Sequence, residues 1–189
     1  MHRERAWSIP PFVRWMVFCL LAVPLWLAPP ALHAEGVAWR PYESPSGRFR
    51  VLLPASPLPT SGVFETRAGS IRELGVEVET AGLSLKIEHH DLPRLACLFL
   101  SDERILDFAA SGLLDDRHGR LESAEPALVQ GHPGRTLRYS RTDLGNRLEQ
   151  ARLVLVGNRL YIVLARADNA SDSRAQIARF FNSFEIWED

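Results

Sequence analysis

The chain is poor in cysteine and has almost no lysine. Cys19 and Cys97 are its only two cysteines in 189 residues. Cys19 lies in an N-terminal apolar run, so a domain released from that run keeps Cys97 alone. An internal disulfide is then excluded, and stability has to come from packing. Among 22 basic residues Lys86 is the sole lysine, and the arginines are scattered. A formal net charge of −1 is too small to draw nucleic acid or an anionic membrane. Repeats and low-complexity blocks are absent. The chain also lacks a G-x-S-x-G elbow, an H-E-x-x-H pair, a P-loop and a dinucleotide fingerprint. No catalytic residue and no cofactor is therefore assigned.

The residues present begin with an address. Arg3, Arg5 and Arg14 form a positive start, Trp15–Ala28 is free of charge, and Ala31-Leu32-His33-Ala34 resembles a cleavage region. That order is the pattern of a secretory signal peptide. Residues 1–34 are expected to be the leader and 35–189 a single domain of the periplasm or the extracellular space. The alternative is an uncleaved anchor, the only route by which this chain would engage a membrane. The apolar run is shorter than the roughly 20 residues a spanning helix needs, and Pro24 interrupts it.

Beyond the leader the hydrophobic period is that of strands. Val37–Tyr42 and Phe49–Leu53 flank the turn sequence Ser44-Pro45-Ser46-Gly47. Pro54–Ser61 reads as a flexible connection. Gly62–Arg67 and Ile71–Glu79 form the next pair. In Leu83–His89, Leu83, Leu85, Ile87 and His89 fall on one face, with Ser84, Lys86, Glu88 and His90 on the other. The apolar run Leu95–Leu100 should bury Cys97 as a structural thiol. Ser101 then caps a helix with Asp102 and Glu103 in its first turn, and Ile105, Leu106, Ala109 and Leu113 share one side. Leu121–Val129, Arg135–Thr142, Leu148–Val156 and Leu160–Ala165 are four more strands, with turns expected at Gly131-His132-Pro133-Gly134 and Gly157-Asn158. A last helix, Asp172–Ser183, is capped by Ser171 or Ser173. It carries Ile177, Phe180, Phe181 and Phe184 as a core-facing stripe. The expected fold is α+β, an antiparallel sheet of about seven strands packed against two main helices.

Several motifs in this order resemble the PsbP-like fold, in particular its small secreted bacterial members. They are Tyr42-x-Ser44-Pro45-x-Gly47-x-Phe49-x-Val51, His89-x-Asp91-Leu92-Pro93, Gly131-x-Pro133-Gly134-Arg135, Gly157-Asn158-Arg159-Leu160-Tyr161 and Arg179-Phe180-Phe181-x-Ser183-Phe184. The resemblance implies an accessory or binding protein of the periplasm or cell envelope, with an unidentified protein partner. It brings no shared catalytic residues. His89 departs from it, standing where related sequences usually carry an aromatic ring.

Glu88-His89-His90-Asp91 is the densest set of possible metal ligands, and His89, His90 and Asp91 are the candidates for a metal- or small-ligand-binding site, with hydrolysis as its catalytic option. Neighbours on a strand point to opposite faces, so Glu88 can share an ion with His90, or His89 with Asp91, but not the two histidines together. Either pair would need help, for instance from His118 or His132. The competing reading is a strand end with one core-facing imidazole. Arg135, Arg138, Arg141, Arg147 and Arg152 crowd the central hairpins. They form either a solvated face or a patch for an anionic partner, with Arg138 and Arg152 expected to pair with acids across strands and Glu149 as a local counter-charge.

Overall fold

The computed structural model describes residues 38–66, 69–141, 143, 147–168 and 170–187. The expected leader and its cleavage point lie outside them. No helix among the described residues is long and apolar enough to cross a membrane.

Two antiparallel sheets form the frame. The smaller joins β1 (Arg40–Ser44), β2 (Phe49–Leu53) and the two-residue β10 (Glu185–Ile186). The larger comprises β3 (Leu58–Thr66), β4 (Gly69–Thr80), β5 (Leu83–Asp91), β6 (Gly119–Val129), β7 (His132–Arg141), β8 (Arg147–Val156) and β9 (Arg159–Ala167), in the order β3-β4-β5-β9-β8-β7-β6. Among the described residues three helices complete the fold: α1 (Arg94–Phe99), α2 (Asp102–Asp116) and α3 (Ala170–Ser183). The seven-stranded sheet and two main helices match the expected α+β architecture.

β9 explains the layering. Its residues Leu160–Ala165 are all buried, so both faces of the strand need cover. Leu160, Ile162 and Leu164 pack with Ile105, Leu106 and Leu113 of α2. The alternate residues Tyr161, Val163 and Ala165 pack with Ile177, Phe180 and Phe181 of α3 and with Phe49 and Val51 of the small sheet. Alternation along the strand thus puts α2 on one face and α3 with the small sheet on the other. The stripe Ile177, Phe180, Phe181 and Phe184 is buried throughout. Ser101 caps α2 as expected, accepting the Arg104 amide at 3.4 Å.

Local differences from the sequence reading have physical causes. β3 starts inside the Pro54–Ser61 segment, because it is an edge strand and Pro59 there sacrifices no ladder bond that the sheet needs. The β6–β7 turn is Gln130-Gly131, with φ of 51° and 87°, and not Gly131–Gly134; His132, Pro133 and Gly134 already pair with Leu128–Val129 and Ala127. Two positive φ values are what a two-residue hairpin turn of matching twist needs. Leu95–Leu100 holds the short helix α1, with Leu95, Leu98 and Phe99 exposed, and Cys97 is only half-buried. Ala110 rather than Ala109 is the fully buried alanine of α2. α3 starts at Ala170, which places Ser171 and Ser173 within the helix.

Phe180 has no exposed surface. Phe180→Ala should lower the unfolding free energy by about 3–5 kcal/mol in denaturant titration. A loss below about 1 kcal/mol would contradict its place in the core.

Candidate ligand cavity beneath the first long helix

The β4–β5 hairpin builds the polar part of the site. Its tight turn at Ala81-Gly82 sets a register in which Glu73 lies opposite His90 and Glu77 opposite Lys86. Glu73, Lys86, Glu88 and His90 consequently share the α2 face of the sheet. Glu73, Glu88 and His90 are each no more than 7% exposed. A carboxylate that deep needs a partner. Lys86 supplies one, with Nζ 3.2 Å from Glu73 Oε1 and in direct ion pairing with Glu88. Arg117, just past the end of α2, reaches Glu88 at 3.8 Å and Glu149 of β8 at 3.6 Å. Glu149 in turn accepts from Tyr139 Oη at 2.8 Å and lies 3.6 Å from Arg141.

Burial alone pushes the Glu88 carboxyl up, but His90, Lys86 and Arg117 outweigh it and hold it below its ordinary value. Burial pulls Lys86 down, and the two carboxylates more than reverse this, so its ammonium stays above the usual lysine value. Both groups are charged at neutral pH. The Tyr139 phenol is driven far up by burial and by Glu149, so it remains a proton donor.

Above this floor lies a cavity of about 500 Å³. Its walls are apolar: Phe64 and Ile71 from the sheet edge, Leu100 after α1, and Ile105, Phe108 and Leu113 from α2. Gly112 also lines it, in mid-helix, and a Cβ placed there would meet nothing within 4 Å. The volume falls in the range of small-molecule sites, and the plan is that of such sites, apolar walls with a few convergent polar groups.

The candidate ligands of the β5 strand end separate across the sheet. His90 joins Glu88 and Glu73, with one donor atom from each lying within 4.8 Å of the others. Its Nε2 is buried without a hydrogen-bond partner, 3.8 Å from Glu88 Oε2. The third donor is thus Glu73, and neither His118 nor His132 belongs to the group. Glu73 lies 17 residues before His90 in sequence and becomes visible only through the hairpin register. His89 faces the other way, tilted against Tyr161 with ring centres 6.4 Å apart. Asp91 is exposed and held by Arg159 through two bonds of 2.6 and 2.9 Å, which lower its carboxyl below the usual range.

His89 sets a pH dependence. Burial, then Arg159, depress its imidazole below the ordinary value of 6.5. The unfolded chain therefore binds the proton first, and stability declines as pH falls from 6.5 toward the folded value. The Glu88 contribution is lost only lower, as pH falls below about 4.5. In thermal melts across this range, His89→Phe should remove the loss that begins at 6.5 and keep the one below 4.5. An unchanged profile would contradict the buried, neutral imidazole.

No protein-family profile and no curated protein matches the chain. Solved structures do. The solution structure of cyanobacterial PsbP (CyanoP) from Synechocystis sp. PCC 6803 is similar at 12% identity and a TM-score of 0.55, over 82% of this chain and 96% of that one. A crystal structure of a Pseudomonas aeruginosa protein of unknown function, PA94, aligns at 12% identity and a TM-score of 0.36, over 74% of this chain and 90% of that one. The likeness to the cyanobacterial protein is one of fold, and the architecture described above is PsbP-like.

Proposed function

We propose that this protein is an exported accessory protein that binds a small ligand in the cavity beneath α2, without catalytic chemistry of its own. The observation that carries this is the cavity itself: about 500 Å³ of apolar-walled space over a buried ionic floor. The leader at residues 1–34 supports export to the periplasm or cell envelope, and the PsbP-like fold is compatible with a binding role there. The ligand is amphipathic. Its apolar body lies against Ile105, Phe108 and Leu113, and its polar end meets Glu73, Lys86, Glu88 and His90. Exposed Phe64 and Phe108 give the cavity an apolar rim.

Gly112 gives the test a handle. Glycine inside a helix costs about 1 kcal/mol relative to alanine, yet here no neighbour would obstruct a methyl group. Gly112→Ala should raise stability by about that amount. Gly112→Phe should fill the cavity and abolish saturable uptake of N-phenyl-1-naphthylamine, followed by fluorescence, while the wild type binds one equivalent. Equal uptake by the two proteins would reject the cavity as the binding site.

A second reading is a divalent cation held by Glu73, Glu88 and His90. The unpartnered Nε2 of His90 and the three converging donors favour it. Three protein ligands with an open position are a common zinc arrangement. Lys86 opposes it, since its ammonium already pairs with both carboxylates and a cation has to displace it. On this reading, equimolar zinc raises the melting temperature of the wild type but not of His90→Ala. No shift in the wild type would eliminate it.

A further inference from the structure

The opposite face of the large sheet carries a groove of different character. It lies between α3 and the surface of β7, β8 and β9, with a volume of about 540 Å³. Three arginines line it: Arg138 of β7, Arg152 of β8 and Arg174 of α3. No acidic residue is among its lining.

The ion pairs of the central hairpins sort these arginines from their neighbours. Arg135 is held by Asp107 at 2.6 Å, Arg147 by Asp168 at 2.6 Å, and Arg141 by Asp143 at 2.5 Å with Glu149 at 3.6 Å. Arg138 and Arg152 were expected to pair with acids across the strands, and among the described residues neither does. They share the α3 face because Arg138 lies opposite Gln150, two residues from Arg152 on the same strand. Arg152 is fixed: Nη1 donates to the Phe181 carbonyl at 3.0 Å, and the guanidinium sits 5.0 Å from the centre of the Phe181 ring. Burial holds that guanidinium below the ordinary arginine value, with no neighbouring carboxylate to offset it. Arg138 and Arg174 make no ion pair or hydrogen bond among the described residues.

Three cations in one groove repel each other unless a counter-charge joins them. Guanidinium forks match phosphate oxygens in pairs, and Gln150 and Asn182 offer further amide donors. The groove is too long for one phosphate: from Arg174 to Phe181 the rise along α3 is about 10 Å. We propose that this groove binds a multiply charged phosphate ligand, a diphosphate or a small organic phosphate, on Arg138, Arg152 and Arg174. The site is separate from the α2 cavity and does not depend on what that cavity holds.

Pyrophosphate and inorganic phosphate, titrated into the full mature chain at low ionic strength, are the probes. Calorimetry should show one saturable site for pyrophosphate, at least about tenfold tighter than for phosphate. Amide shifts should be confined to residues 136–138, 150–152 and 174–182. Arg138→Gln and Arg174→Gln, both exposed positions, should each weaken binding by about tenfold. Arg147→Gln, which breaks only the surface pair with Asp168, should leave it unchanged. No saturable pyrophosphate binding, or an equal loss in Arg147→Gln, would overturn the proposal.

Discussion

The pairing of β5 with β9 is the interaction on which the rest of the structure depends. Each belongs to its own run of hairpins, β3-β4-β5 on one side and β6-β7-β8-β9 on the other. A single antiparallel ladder, from Leu83 opposite Ala167 to Asp91 opposite Arg159, makes one sheet of the two. That ladder closes a long loop of chain, so its entropic cost has to be met by burial. The means is β9, apolar on both faces, which recruits α2 to one side and α3 with the small sheet to the other. Both candidate sites are consequences. The cavity forms where α2 spans the β5–β9 junction, and the groove forms where α3 leaves β7 and β8 partly uncovered.

The two faces answer differently to charge. Beneath α2, Glu73, Glu88 and Glu149 are buried, and Lys86, Arg117 and Arg141 compensate them nearby. Such a floor is not a gain over apolar packing of the same volume. It does disfavour apolar cover over its own part of the sheet, beside the strip where Ile105, Leu106 and Leu113 pack directly on Leu160, Ile162 and Leu164. The chain's one lysine sits at this point, where a compact ammonium fits between two carboxylates. On the α3 face there is no such compensation: cations gather with no acid among the groove residues.

Much of this was legible in the sequence, for stated reasons. The alternation of Leu83–His89 sorted its side chains onto two faces, though as a half-buried strand and without the burial of Glu88 and His90, and the Ile177, Phe180, Phe181, Phe184 stripe located α3's buried side. Glu73 was missed as a member of the polar cluster although its signal was present. Counting back from the two-residue turn at Ala81-Gly82 places it opposite His90. Which arginines lack counter-charges was not legible, since Asp107 and Asp168 reach Arg135 and Arg147 only through tertiary folding. Nor was the exposure of α1, because an apolar run of six residues is the same string whether it faces a core or a rim.

The account's central claim is that the space over the charged floor, beside the packed side of α2, takes up a ligand. A crystal structure of the protein purified under native conditions tests it most directly. The account predicts ordered, non-solvent density between Phe108, Gly112 and Leu113 above and Lys86, Glu88 and His90 below. Phe108 packed down over Lys86, Glu88 and His90, with no space left above that floor, would contradict it.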